Sequence, residues 1–493
     1  MALRNTLLRT FFAARQRAID RFRRHPAETQ ERMLHRLLKR GAQTAFGRQY
    51  GVGEVRSIEQ FQQRVGTFDY ETFKPWIERM KQGERDVAAR GRVELFARSS
   101  GTTSDRSKYI PVTHESVLWN HTLGMRDVAT LFAANHPDTQ IFAGKTLTLG
   151  GSCAAENGYV TGDLSALLIR EMKFWSGWFR APEIDVALIP DFGEKVEAIC
   201  RTCVGEHITS FAGVPSWNLA MMRRVLEYTG KSNLLEVWPD LSLFAHGGVE
   251  FGPYRRSFEE LIPSLQMHYM ETYNASEGFF ALADDPARND MLLMLDYGTF
   301  YEFRDDAGAV VPLEGVMCGK PYALLITSNN GLWRYAIGDR VEFTSTTPYR
   351  IRFAGRTKQY INVFGEELIV DNADRALLEA CRETGARVNE YSVAPRYMSL
   401  HNRGAHEWFV EFEREPDDRE RFAEALDRAL RAVNSDYDAK RQTTLERQHV
   451  TELPAGTFLG WMRANGKNKV PRLVNDRRVA EQLEKVESLE FKV

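Results

Sequence analysis

Nothing in the 493-residue chain approaches 18 consecutive apolar residues, and this excludes a membrane-spanning helix. The Walker spacing GxxxxGK[ST] is missing. Its nearest approach, Gly315-Val316-Met317-Cys318-Gly319-Lys320, is one residue short and runs into Pro321 instead of a hydroxyl. Five cysteines, at positions 153, 200, 203, 318 and 381, are too few, too scattered and odd in number for a disulfide framework, so they suit a reducing compartment. Cys200-Arg201-Thr202-Cys203 is formally a metal or redox pair, but no second pair follows it. It ends the apolar run Val196-Glu197-Ala198-Ile199, where i, i+3 cysteines serve as core packing. A net charge of −2 gives no electrostatic reason to bind nucleic acid. Repeats, low-complexity tracts, a Ser-His-Asp or Cys-His nucleophile arrangement and a Ser-bearing carrier domain are absent as well. The expectation is a monomeric cytoplasmic protein with no nucleic-acid or membrane partner.

What is present is ordinary globular usage, 43% hydrophobic and 27% charged, over a length sufficient for two or three cores. The first 24 residues hold seven Arg and one acid, with Leu8, Phe11, Phe12, Ile19 and Phe22 at near-helical spacing. A basic amphipathic helix suits a targeting signal or a membrane surface. Here Ser is absent and the series continues through Met33, Leu34, Leu37 and Leu38, so the expected role is a surface helix packed on the large domain.

Helices are expected over residues 1 to 48 and near 112 to 135. Strands at 145–149, 207–211, 241–246 and 267–272 then alternate with helices at 193–204, 216–228 and 254–265, which indicates α/β layering. From 291 to 355 short strands and turns follow, including Trp333-Arg334-Tyr335, and read as an antiparallel subdomain appended to that core. Strands at 391–400 and 408–412 with helices at 418–434 and 474–487 make a small α+β C-terminal domain. The expected division is 1–357 and 358–493.

The most informative segment is Ser99-Ser100-Gly101-Thr102-Thr103-Ser104-Asp105-Arg106-Ser107-Lys108, in which hydroxyls surround one glycine and cations follow. Small side chains let backbone N–H groups approach an anion, hydroxyls add donors, and Lys108 adds charge. Alone, such a cluster is more often an ordinary polar loop. Downstream come Tyr273-Asn274-Ala275-Ser276-Glu277-Gly278, Tyr335-Ala336-Ile337-Gly338-Asp339, Gly355-Arg356-Thr357-Lys358 with Gly365, and Lys467-Asn468-Lys469-Val470-Pro471-Arg472.

In this order the motifs resemble the adenylate-forming superfamily of acyl-CoA ligases, adenylation domains and luciferases. They are most similar to its auxin-responsive branch, the acyl acid amido synthetases. Thr44 to Gly51, Ile110-Pro111, Gly298 to Phe303 and Gly319 to Tyr322 share that resemblance, which spans about residues 40 to 475. The resemblance implies a large α/β adenylate-forming domain with a small mobile C-terminal domain. It also implies that ATP and Mg²⁺ are used to activate a carboxylic acid as acyl-AMP, with transfer to an amine, expected to be an amino acid. Ser99, Ser100, Thr102, Thr103 and Lys108 would grip the triphosphate. Glu277, beside Ser276, would hold Mg²⁺, as suits an oxygen ligand for a hard cation. Tyr273 would stack near adenine, with Gly247-Gly248-Val249 as the opposite wall.

Asp339 would accept from both ribose hydroxyls, although Ala336 stands where the superfamily carries Arg. Arg334 and Arg356 flank this strand pair, and either could neutralise phosphate; Arg356 is favoured. Lys358 matches the hinge, about which Ile361 to Glu366 would swing into the site for the second half-reaction. Lys469, with Lys467 as a substitute, would bridge the α-phosphate and the attacked carbonyl oxygen. The acyl pocket is expected among Phe211 to Trp217 and around Trp119, His121 and Met125. A CoA ligase using the same adenylation, and a nucleotide-binding scaffold without catalysis, are the competing functions.

Overall fold

The computed structural model describes residues 2–100, 107–172, 177–357, 359–399, 402–465 and 469–490, and within these every side chain except those of 2–11, 100 and 486–490. Thr102, Thr103, Lys358 and Lys467 therefore lie outside the described residues. The large domain is a mixed α/β structure around a twelve-stranded sheet. The strands Arg180–Ala181, Lys145–Thr148, Ile208–Gly213, Leu243–Gly247 and His268–Ala275 run parallel, in that spatial order. The helices Phe192–Cys203, Pro215–Thr229 and Gly252–Leu261 connect or flank them.

The antiparallel strands do not form a separate sheet. His268–Ala275 turns into Gly278–Leu282, and from there the sheet continues antiparallel through Met291–Leu293, Tyr349–Arg356, Tyr335–Thr346, Pro321–Ser328, Thr299–Arg304 and Val310–Pro312. In the middle of the parallel half Ile208–Gly213 and Leu243–Gly247 are mostly buried, as suits parallel strands covered on both faces. A second sheet of four strands holds the antiparallel pair Leu95–Ser100 and Ser107–Val112, which brackets the hydroxyl-rich loop.

The strand expected at Trp333 begins only at Tyr335. Arg334 adopts φ +42° and its guanidinium is buried, making paired bonds to both oxygens of Glu302 at 2.9 Å and further bonds to the carbonyls of Gln62 and Val65. Left-handed backbone is costly for a residue with a Cβ, and here the enclosed ion pair holds it in place. Arg334 is thus a structural residue, which leaves Arg356 as the remaining phosphate candidate of the two.

The N-terminal helix Ala2–Arg24 packs on the large domain. Ile19 and Phe22 are buried, Phe12 stacks on Phe142 at 5.2 Å, and buried Arg15 pairs with Asp127 and Asp296. All five cysteines are free, and Cys200 and Cys203 belong to a hydrophobic core. Among the described residues no helix is long and apolar enough to cross a membrane.

Beyond residue 359 the strands Arg387–Arg396, Ala405–Arg414 and His449–Leu453 form one sheet, with helices Val370–Thr384, Arg419–Val433, Ser435–Thr443 and Arg478–Glu490. The segment from Ile361 to Glu366 docks this part onto the large domain. Tyr254 donates its hydroxyl to the Val363 carbonyl at 2.5 Å, Ser216 donates to the Phe364 carbonyl at 3.1 Å, and Asn362 donates to the Gly248 carbonyl at 3.0 Å. Glu366 fixes the loop from within, accepting from the Val363 and Phe364 amides and contacting the His406 ring at 2.9 Å.

Candidate active site

Parallel α/β sheets bind ligands beyond the carboxyl ends of their strands, and two of the expected motifs lie there. Leu243–Gly247 ends in Gly248, whose φ of +84° favours glycine, and in Val249. The neighbouring strand pairs Thr272 with Gly247 and runs on into Tyr273, Asn274, Ser276 and Glu277. A Cβ on Gly247 would lie 2.4 Å from the Thr272 carbonyl oxygen, so only glycine permits the strands to meet this closely.

The antiparallel half delivers the charges. Asp339 and Arg356 are opposite one another in register, and the Arg356 Nε donates to Asp339 at 2.7 Å. The other Asp339 oxygen accepts the Tyr273 hydroxyl at 2.6 Å. Tyr273 is therefore tied to the carboxylate rather than free in a stacking position, its ring 5.2 Å from Phe280 and 6.0 Å from Phe353. Arg356 also ion-pairs with Glu367, and Glu367 in turn accepts the Ser99 hydroxyl at 3.1 Å. One chain of contacts thus joins Ser99, Glu367, Arg356, Asp339 and Tyr273.

Glu277 lies within the same charge field. Burial pushes its carboxyl up to about 7; Lys108 acts against this shift, while Asp339 and Glu367 add to it. Burial opposes the Arg356 charge, but Glu367 and Asp339 outweigh it and hold the guanidinium protonated well above its usual range. Burial and Asp339 raise the Tyr273 phenol well above its ordinary value. Three carboxylates and two cations thus share one charge field, with one negative charge left over for a bound cation to balance. Among the described residues no three His, Cys, Asp or Glu side chains converge as a metal cage. Mg²⁺ held by one carboxylate plus substrate phosphates needs no such cage, and Glu277 fits that donor set.

Ser276 is half-buried beside Glu277. Lys469 is exposed and makes no hydrogen bond or ion pair among the described residues. Of the acyl-pocket candidates, Trp119 and Met125 are exposed while His121 is fully buried, so the three do not share a wall. Phe211 is core, and Trp217 carries the Lys440 ammonium 4.1 Å above its ring. Sequence reading missed Glu367. Its signals are its place as the second of two carboxylates after Gly365 of the docking loop and a φ of +40°, an uncommon backbone for a residue with a side chain.

The chain matches the GH3 family N-terminal domain over residues 15–191 and 152–267, the central domain over 292–356 and the C-terminal domain over 371–478. The chain belongs to the GH3 family. Among its relatives is the indole-3-acetic acid-amido synthetase GH3.4 of Arabidopsis thaliana, 21% identical over 76% of this chain and 75% of the relative. Another is the jasmonoyl–L-amino acid synthetase JAR6 of Nicotiana attenuata, 23% identical over 68% of this chain and 70% of the relative. The solved structure of AtGH3.15 acyl acid amido synthetase in complex with 2,4-DB superposes with a TM-score of 0.57 at 18% identity, covering 93% of both chains. That likeness shows the fold. In this GH3-family chain, the docking loop and the Asp339–Arg356 pair come together where the N-terminal and central family domains meet the C-terminal one.

Proposed function

We propose that this GH3-family chain is an ATP-dependent acyl acid amido synthetase, which adenylates a carboxylic acid with loss of pyrophosphate and passes the acyl group to an amine. The observation that carries the reading is the convergence of Ser99, Lys108, Glu277, Asp339 and Arg356 beyond the carboxyl ends of the parallel strands. On this reading Ser99, Ser100, Thr102, Thr103 and Lys108 bind the triphosphate, and Gly248, Val249 and Tyr273 border the nucleoside. Asp339 takes the ribose once Tyr273 yields an oxygen, and Arg356 exchanges Glu367 for phosphate. When bound at Glu277, Mg²⁺ would neutralise phosphate charge. Residues 1–357 hold ATP and the acid, and 358–493 carry Lys469. The enzyme is read as a monomer of the cytoplasm, in keeping with its free cysteines.

A panel of carboxylic acids assayed for ATP-dependent pyrophosphate release tests this. Release with at least one acid, followed by amide formation on adding amino acids, is the expected result. Thioester formation with CoA and no amide would replace the reading with that of a CoA ligase, and no release with any acid would reject both. Glu277→Gln is expected to raise the Mg²⁺ concentration for half-maximal release at least tenfold, because a neutral amide is a poor ligand for a hard cation. An unshifted Mg²⁺ titration would remove Glu277 from the metal site.

A further inference from the structure

Glu367 occupies donors that a triphosphate would need. Tyr360–Ile361 pairs antiparallel with Leu368–Ile369, so residues 362–367 are the tip of a short hairpin and Glu367 closes that tip. Its backbone is anchored in the C-terminal domain. The Glu367 carbonyl accepts from Asn434 Nδ2 at 3.2 Å, and Asn434 is fully buried as the N-cap of the helix Ser435–Thr443, accepting from the Tyr437 amide at 2.8 Å. The Glu367 amide donates to Asn362 Oδ1 at 3.1 Å, and Asn362 in turn donates to the Gly248 carbonyl. From this anchorage the side chain crosses to the large domain, where one carboxylate oxygen pairs with Arg356 and the other accepts the Ser99 hydroxyl.

Both donors are engaged by this one carboxylate. Ser99 has a single hydroxyl proton, and while Glu367 accepts it a phosphate oxygen cannot. Arg356 lies between two carboxylates, so a phosphate that reaches its guanidinium must displace one of them. Asp339 is fixed in place. It stands opposite Arg356 in strand register, is 7% exposed, and also accepts the Tyr273 hydroxyl. Glu367 is the partner that can leave, because it belongs to a loop of the other domain. Its φ of +40° is left-handed backbone, costly for a residue with a Cβ and kept only while the surrounding contacts hold it.

We infer that Glu367 is an internal stand-in for phosphate: it holds Ser99 and Arg356 in the docked form, and an incoming nucleoside triphosphate must displace it, so that nucleotide entry undocks the hairpin and frees the C-terminal domain. The inference rests on the nucleotide reading above. A carboxylate and a phosphate compete here because both are anionic acceptors suited to a hydroxyl and a guanidinium. A ligand that binds only the form without the Glu367 contact shifts the equilibrium toward that form, and by linkage removal of the contact strengthens the ligand to the same extent. Once pyrophosphate departs, Ser99 is vacated and Glu367 returns to it. That restores the docked form for the transfer step.

The experiment uses the full-length protein with Mg²⁺ and α,β-methylene-ATP, whose α–β bridge adenylation cannot break, and it reads binding rather than turnover. Glu367→Gln keeps the shape of the side chain and removes its charge. It is expected to bind the analogue about tenfold more tightly than the wild type, within the usual range for linked sites. Adenosine, with the same base and ribose but no phosphate, should bind both proteins equally. In the wild type, hydrogen exchange across residues 361–367 should quicken when the analogue is added, whereas in Glu367→Gln it should be quick from the start. Unchanged or weaker binding of the analogue by Glu367→Gln, or a gain shared by adenosine, would overturn the inference. Wild-type exchange that slows or stays the same on adding the analogue would also overturn it, and this measurement decides even if the variant does not fold. A wild type that neither binds the analogue nor releases pyrophosphate with any acid would instead reject the nucleotide reading, and this inference with it.

Discussion

Arg334→Ala is expected to lower the unfolding free energy by about 3–5 kcal/mol, the cost of breaking a buried ion pair by removing one partner. Both side chains are nearly closed to solvent, 5% exposed for Arg334 and 1% for Glu302, so the abandoned carboxylate keeps little hydration. Gln62 still donates to Glu302 at 2.9 Å, and one neutral donor does not replace a paired guanidinium. The carbonyls of Gln62 and Val65 lose a charged donor at the same time. Because φ at this position is +42°, Arg334→Gly should be roughly 1 kcal/mol less damaging than the alanine variant. Thermal or denaturant unfolding reads both differences. An alanine variant with an unchanged midpoint and abolished adenylation would return Arg334 to the phosphate and refute its structural assignment.

Arg334 also shows why sequence reading stopped where it did. Trp333-Arg334-Tyr335 has the composition of a strand, but the ion pair with Glu302 holds a backbone angle that no strand contains. The parallel strands and their helices were legible because short strand runs alternate with amphipathic helices such as Phe192–Cys203. The strands around the hydroxyl-rich loop were not, because Ser and Arg conceal the alternation. Around Trp119 the expected helix exists, yet Val117–His121 forms a π turn. One extra residue in a turn shifts the phase of the side chains that follow, and of the pocket candidates taken here from the family resemblance His121 is buried while Trp119 and Met125 are exposed. The motifs of the site were readable because each is local. Glu367 was not, since its meaning lies in a bond to Ser99 across 268 residues of sequence.

Lys469→Ala is expected to slow adenylation by two to three decades, about 3 kcal/mol for removal of a preorganised charge aimed at the transition state, while sparing amide formation from supplied acyl-AMP. Lys469 has no partner among the described residues, and Pro471 and Arg472 after it are bonded within their own domain. Arg472 pairs with Asp374 at 2.8 and 2.9 Å, and Ser392 donates to the Pro471 carbonyl at 2.7 Å. On the proposed reading, bringing Lys469 to the nucleotide cluster would take a movement of the C-terminal domain as a body, breaking the contacts of Asn362, Phe364 and Ser435 with the large domain. A crosslink that holds those contacts should therefore reproduce the alanine phenotype in a chain that still carries the lysine. The Ser107 and Ser435 hydroxyls are 2.9 Å apart, a separation compatible with a disulfide between cysteines placed there. Oxidised Ser107→Cys/Ser435→Cys is expected to lose pyrophosphate release and keep transfer from acyl-AMP, and reduction should restore the first step, each sample serving as its own control. If the oxidised protein adenylates as fast as the reduced one, the domain does not rotate between the two half-reactions and Lys469 is not the group it delivers.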